Sequence, residues 1–121
     1  MLDRVQRVEF DEDATENQGF LADFLQAVPN LRSVTFTDDP SAAETVRTLT
    51  AYLPSTVISL NFAGFMATSF DDTVARELCS SPRVAQLENL GLYNCNLTEA
   101  GAEAIGNGTF TGLTALHLGT G

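Results

Sequence analysis

Leu87-Glu88-Asn89-Leu90-Gly91-Leu92-Tyr93-Asn94-Cys95-Asn96-Leu97 is the stretch that decides how this chain folds. Its first three leucines are separated by two residues and then by one, and Leu90 and Leu92 alternate with smaller or polar neighbours. That is the period of a strand with one buried face. The same spacing recurs at Val5-Val8-Phe10, Leu31-Val34-Phe36, Val57-Leu60-Phe62 and Leu113-Leu116-Leu118. The first members fall at 5, 31, 57, 87 and 113, so the successive offsets are 26, 26, 30 and 26. Recurrence at a nearly fixed period marks a repeat architecture, in which no single unit can bury its apolar side alone.

Between these triplets the apolar spacing changes from two to the helical period. Phe20, Leu21, Phe24, Leu25 and Val28 form one stripe, and Val46, Leu49 and Leu53 form another. Ser41 with Glu44 reads as a capping box behind Pro40, and Thr98 is placed to cap the last helix. Gly106 and Gly108 can end that helix, while Pro54 and Pro82 mark the exits of the two before it. The spacing predicts helices near 18–28, 42–53, 71–80 and 98–106. The third unit carries four more residues than the others, assigned to a loop at Ala63–Phe70.

The stretch 87–97 fits L-x-x-L-x-L-x-x-N/C-x-L at every fixed position, and the chain therefore resembles the leucine-rich-repeat family. The continuation Leu97-Thr98-Glu99-Ala100-Gly101 looks like the helical half of its cysteine-containing, ribonuclease-inhibitor-like subtypes. The resemblance covers nearly all of residues 1–121, as units starting near 5, 31, 57, 87 and 113, the last incomplete. It is weaker in the earlier units, where Asp13, Asp39 and Phe65 stand at the position that favours Asn or Cys. The resemblance implies an α/β fold, a right-handed solenoid with a parallel sheet on its concave face and helices on its convex face. An array of this kind normally closes with polar caps, and neither terminus reads as one. A longer array or a partner at the ends is expected, and the Leu113-Leu116-Leu118 strand is a candidate for self-association through its edge.

Composition narrows the function. The chain has 44% hydrophobic and 18% charged residues, which suits a folded domain. Six basic residues, all Arg, face sixteen acidic ones, for a net charge of −10. Such a charge repels phosphate backbones and anionic lipid, so neither nucleic acid nor membrane is expected as a partner. No apolar run is long enough to span a bilayer, and the start MLDRVQRVEF lacks the apolar core of a signal peptide. Two cysteines are too few for a disulfide scaffold, and a reduced, cytoplasmic protein is expected.

The residues that could carry chemistry are isolated. His117 stands in the outward slot between Leu116 and Leu118, with no nucleophile or orienting carboxylate in a recognisable motif. Cys95 occupies the structural Asn/Cys position of its repeat, and Cys79 reads as a packing residue at a helix end. Neither has a CxxC partner. Asp11-Glu12-Asp13, Asp38-Asp39 and Asp71-Asp72 fall before helices, where carboxylates cap N-termini; none has the spacing of a calcium-binding loop. The Asn-x-Thr triplets at Asn96 and Asn107 matter only in a secretory pathway. Gly106-Asn107-Gly108 lacks the GK[ST] continuation of a phosphate loop. No catalytic residue, metal or cofactor is expected, and the chain does not read as an enzyme.

What remains is a surface. The alternation places Gln6, Arg7, Glu9, Arg32, Ser33, Thr35, Ile58, Ser59, Asn61, Glu88, Asn89, Tyr93 and His117 outward, together with Gly91, Thr114 and Ala115. Family resemblance implies that this sheet face binds a protein or peptide. The competing expectation is a structural or substrate-recognition segment of a larger enzyme or effector whose catalytic domain lies outside these residues.

Overall fold

The computed structural model describes residues 4–11, 16–37, 42–63, 70–93 and 97–118. Within them the chain alternates strand and helix. The strands are β1 (Arg7–Phe10), β2 (Ser33–Phe36), β3 (Ser59–Phe62), β4 (Asn89–Leu92) and β5 (Ala115–Leu118). The helices are α1 (Gln18–Ala27), α2 (Ala42–Tyr52), α3 (Asp72–Cys79) and α4 (Glu99–Gly106), with a 3-10 turn at Pro82–Val84. The strands form one parallel sheet in chain order. This is the sheet expected from the five triplets, and each helix lies within a residue of its expected bounds.

The pairing register equals the sequence repeat. Val8 pairs with Val34, Val34 with Leu60, Leu60 with Leu90, and Leu90 with Leu116. One position in two therefore points to a common side, where Val34, Leu60 and Leu90 are fully buried. The next inward row stacks Phe10 on Phe36 at 5.4 Å and Phe36 on Phe62 at 5.1 Å between ring centroids. Phe70 continues this ladder against Phe62 at 4.8 Å. Offset rings at these separations add attraction beyond the area they bury. A one-residue slip would turn both rows to the outside, so burial specifies the register.

The helices close the core from that same inner side. Leu21, Leu25 and Val28 of the first helical stripe are buried, as are Val46, Leu49 and Leu53 of the second. Phe20 departs from the expected stripe and is 48% exposed. It lies in the first turn of α1, one residue ahead of the buried side of Leu21 and Leu25, with its ring centroid 6.2 Å from that of Phe24. Asn17 caps α1 by accepting the Phe20 N–H at 3.0 Å, and Asp71 caps α3 by accepting the Val74 N–H at 3.1 Å. Thr98 caps α4 as expected, accepting the Ala100 N–H at 3.3 Å. Pro82 opens the 3-10 turn that leads away from α3, and α4 ends at Gly106. Ser41, Asp13, Asp39, Phe65, Cys95 and the loop at 64–69 lie outside the described residues.

Polar side chains tie each unit to its predecessor. Thr56 Oγ1 donates to the Leu31 carbonyl at 2.6 Å, and Thr109 Oγ1 to the Ser81 carbonyl at 2.7 Å. Arg83 donates to the Leu53 carbonyl at 3.1 Å. Gln18 bridges α1 to α2, donating to Thr45 and accepting from Thr48 Oγ1 at 2.6 Å. Each bond gives a carbonyl or hydroxyl between units a partner it would otherwise need from water. No helix among the described residues is long and apolar enough to cross a membrane.

The last strand differs from the others. Leu116 and Leu118 occupy the inward rows, yet they are 42% and 55% exposed. Among the described residues β5 pairs with β4 alone, and no strand pairs with its far edge.

Candidate functional site

The outer face of the sheet is built by the residues between the buried rows. Because Val8, Val34, Leu60 and Leu90 point inward, their neighbours Arg7, Ser33, Ser59 and Asn89 point outward and lie side by side across β1–β4. Two positions on, Glu9, Thr35, Asn61, Gly91 and His117 form a second row across all five strands. Gln6, Arg32, Ile58, Glu88 and Thr114 form a third, just ahead of the strands. Its backbone is also in register: the Gln6 carbonyl accepts from Arg32, that of Arg32 from Ile58, that of Ile58 from Glu88, and that of Glu88 from Thr114.

A cavity of about 660 Å³ opens over this face. It is lined by Gln6, Arg7, Glu9, Arg32, Ser33, Thr35, Ile58, Ser59 and Asn89, together with the edge of Val8. The structure thus brings nine of the expected outward residues into one site. Its floor is made of short hydroxyl side chains with Ile58 as an apolar patch, and Arg7 and Arg32 supply positive charge at one end. Arg7, Glu9 and Arg32 are exposed, while Ser33, Thr35, Ile58, Ser59 and Asn89 are half-buried.

The other expected residues lie beyond the cavity. Glu88 is exposed just ahead of β4, and Asn61 is half-buried and donates to Ser59 Oγ at 3.3 Å. Tyr93 and His117 stack with ring centroids 6.1 Å apart and planes 22° from parallel. This pair makes a second, aromatic end to the face.

Gly91 shows how that end is fitted together. A Cβ on Gly91 would approach Tyr93 Cε2 to 2.8 Å and collide with the Asn61 amide oxygen. The Tyr93 ring is therefore folded back over β4, and only a residue without a side chain leaves it room. Gly91 was an expected outward position, but its role as the seat of the ring was not read from the sequence. The available signal was a glycine inside a strand, in a row otherwise filled by Glu9, Thr35, Asn61 and His117; such a glycine marks close approach of another group.

The charge on the face is balanced. Its three rows hold Arg7 and Arg32 against Glu9 and Glu88, whereas the chain as a whole carries −10. The acid surplus therefore lies elsewhere on the molecule. Cys79 is buried at the end of α3, outside the residues that line the cavity, and burial pushes its thiol up to about 11. A thiol held protonated in this way is a packing group and a poor nucleophile.

Compared with known proteins, the chain matches no family model, no curated protein and no solved structure.

Proposed function

We propose that this chain is a leucine-rich-repeat array, wound as a right-handed solenoid, whose outer sheet face binds a protein or peptide. The observation that carries the reading is the cavity over the sheet, because it unites exposed and half-buried polar residues from four successive units that the core does not use. The repeat assignment is supported by a pairing register that follows the sequence offset strand by strand. It is supported too by packing chiefly of strand on strand and helix on helix between successive units, the mark of a stacked array. Parallel strands joined through a helix take the right-handed crossover in nearly all proteins, because strand twist favours it.

The face suits binding better than catalysis. His117 is exposed and stacked on Tyr93, and its slot lies outside the cavity. A face of hydroxyls, amides and paired charges offers adaptable hydrogen bonding, and the Tyr93 ring adds rigid contact area. The cytoplasm is the proposed compartment, with Cys79 carried as a free buried thiol.

Selection of displayed peptides on the immobilised protein tests this reading. Peptides are counter-selected on Ser59→Arg, which fills the cavity floor at a half-buried outward position and leaves the core intact. Unchanged thermal unfolding of the variant confirms that only the face has altered. Enrichment of peptides that bind the wild type and not Ser59→Arg is expected. Peptides that bind both equally would place recognition elsewhere.

A further inference from the structure

Arg32, Ile58 and Glu88 stand in one row on the outer face, contributed by three successive units. Their alignment is fixed by the backbone. The Arg32 carbonyl accepts the N–H groups of Ile58 and Ser59 at 2.9 and 3.1 Å, and the Ile58 carbonyl accepts those of Glu88 and Asn89 at 2.7 and 3.0 Å. Neighbouring strands lie about 4.8 Å apart, so the row reads positive, apolar, negative over roughly 10 Å. Arg32 and Glu88 are exposed and Ile58 is half-buried between them. Among the described residues neither charged group is tied into an ion pair, and the core makes no use of either.

We propose that this row reads a partner polypeptide by the order of its charges. The occupant is an extended segment running across the strands, with an acidic residue over Arg32, an apolar residue over Ile58 and a basic residue over Glu88. Side chains that share one face of an extended chain are two residues apart, so its acidic, apolar and basic residues stand at positions i, i+2 and i+4. They span about 13 Å end to end, which the long, exposed Arg32 and Glu88 side chains can cover. The inference rests on the binding role of this face and specifies its ligand.

Charge complementarity makes the assignment specific. Arg7 and Glu9 sit two residues apart on β1 and offset each other, so the rows of the face sum to zero. A uniformly acidic segment would meet Glu88, and a uniformly basic one would meet Arg32. Like charges brought together at an interface are costly, and that cost rejects wrong partners. Ile58 supplies the desolvated centre that lets the flanking charges act at short range.

The test uses the peptides enriched by the selection above, together with three synthetic nonapeptides carrying Glu-x-Val-x-Lys, Glu-x-Val-x-Glu or Lys-x-Val-x-Lys. Binding is followed by fluorescence anisotropy. Wild type should prefer Glu-x-Val-x-Lys to both others by about tenfold. Arg32→Glu should turn the preference to Lys-x-Val-x-Lys, and Glu88→Arg should turn it to Glu-x-Val-x-Glu. Ile58→Ser should weaken all three alike. Enriched peptides that depend on the face but lack the pairing, or a preference unmoved by Arg32→Glu, would overturn this inference and leave the binding role standing. A selection yielding no peptide sensitive to Ser59→Arg would overturn both.

Discussion

The carboxylate of Asp72, at the start of α3, accepts the backbone N–H of Thr98 at 2.8 Å, although the two residues are 26 apart in sequence. It also accepts the Thr98 hydroxyl and a backbone N–H of Gly101. One unit thus caps the helix of the next. The Thr98 side chain caps α4 from within, and Asp72 satisfies further N-terminal donors from outside. The bonds to Thr98 hold the Asp72 carboxyl below its ordinary value of 3.8, and Arg76 adds to the effect.

Asp72→Asn should therefore lower the melting temperature at neutral pH, and the loss should depend on pH in a definite sense. A group whose folded value is depressed stabilises the fold above its unfolded value and loses that contribution as pH falls through the folded one. The difference between wild type and Asp72→Asn should be fully present above about pH 5 and shrink on acidification below the carboxylate range. Thermal unfolding at a series of pH values measures it. A constant difference would mean that the charge on Asp72 contributes nothing.

Gly101 extends the same argument to a single methyl group. Alanine is favoured over glycine in a helix interior by roughly 1 kcal/mol. Here a Cβ would lie 3.0 Å from Leu97 Cδ2 and would collide with the Asp72 carboxylate. Gly101→Ala should therefore destabilise, by about 1 kcal/mol or more. In an Asp72→Ala background most of that penalty should disappear, giving a double-mutant coupling. Additive effects would show that the carboxylate does not occupy the space above Gly101.

Much of this fold was legible in the sequence because burial has a period. The inward rows recur at the repeat offset, and each is also a row in the sheet, so strand order and register followed from counting. The helix ends were legible where a capping residue works locally, as Thr98 does. Bonds between units were not legible. Asp72 to Thr98, Gln18 to Thr48 and Thr56 to Leu31 join residues 25 to 30 apart, and no local pattern distinguishes such a residue from a solvated one. The same holds for the face. Alternation shows which side chains point outward, but the folding of the Tyr93 ring over Gly91 depends on the neighbouring strand.

Leu90 and Asn89 test the assignment of the two faces. Leu90 is fully buried in β4, with strands on both sides, and Leu90→Ala should cost about 2–5 kcal/mol through the cavity it leaves. Asn89, its outward neighbour, is half-buried and lines the binding cavity. Asn89→Ala should change stability by less than about 0.5 kcal/mol. Equal effects in chemical denaturation would mean that the faces are exchanged.

Cys79 should react only when the fold opens. It is 1% exposed, and burial pushes its thiol up to about 11, so thiolate is scarce at pH 8 and reagents have no access. Alkylation of the native protein should leave Cys79 unmodified for hours, and the denatured protein without reductant should yield both thiols, at Cys79 and Cys95. Rapid labelling of Cys79 in the native state would contradict its placement in the core.

Leu116 and Leu118 carry the final prediction. Both lie in rows that are buried in the preceding strands, yet half or more of Leu118 and about two-fifths of Leu116 meet solvent. Among the described residues the far edge of β5 has no pairing strand, so apolar side chains and a row of backbone polar groups are offered together. Such an edge is a template for another strand unless charge or cover blocks it. A protein of these 121 residues should therefore self-associate with rising concentration, which sedimentation measures. Leu118→Lys places a charge on the inward row of the edge and should return the protein to a monomer, while leaving its unfolding almost unchanged because the position is already exposed. A wild type that stays monomeric at high concentration, with the β5 amides protected from hydrogen exchange, would show that the edge is covered within the chain.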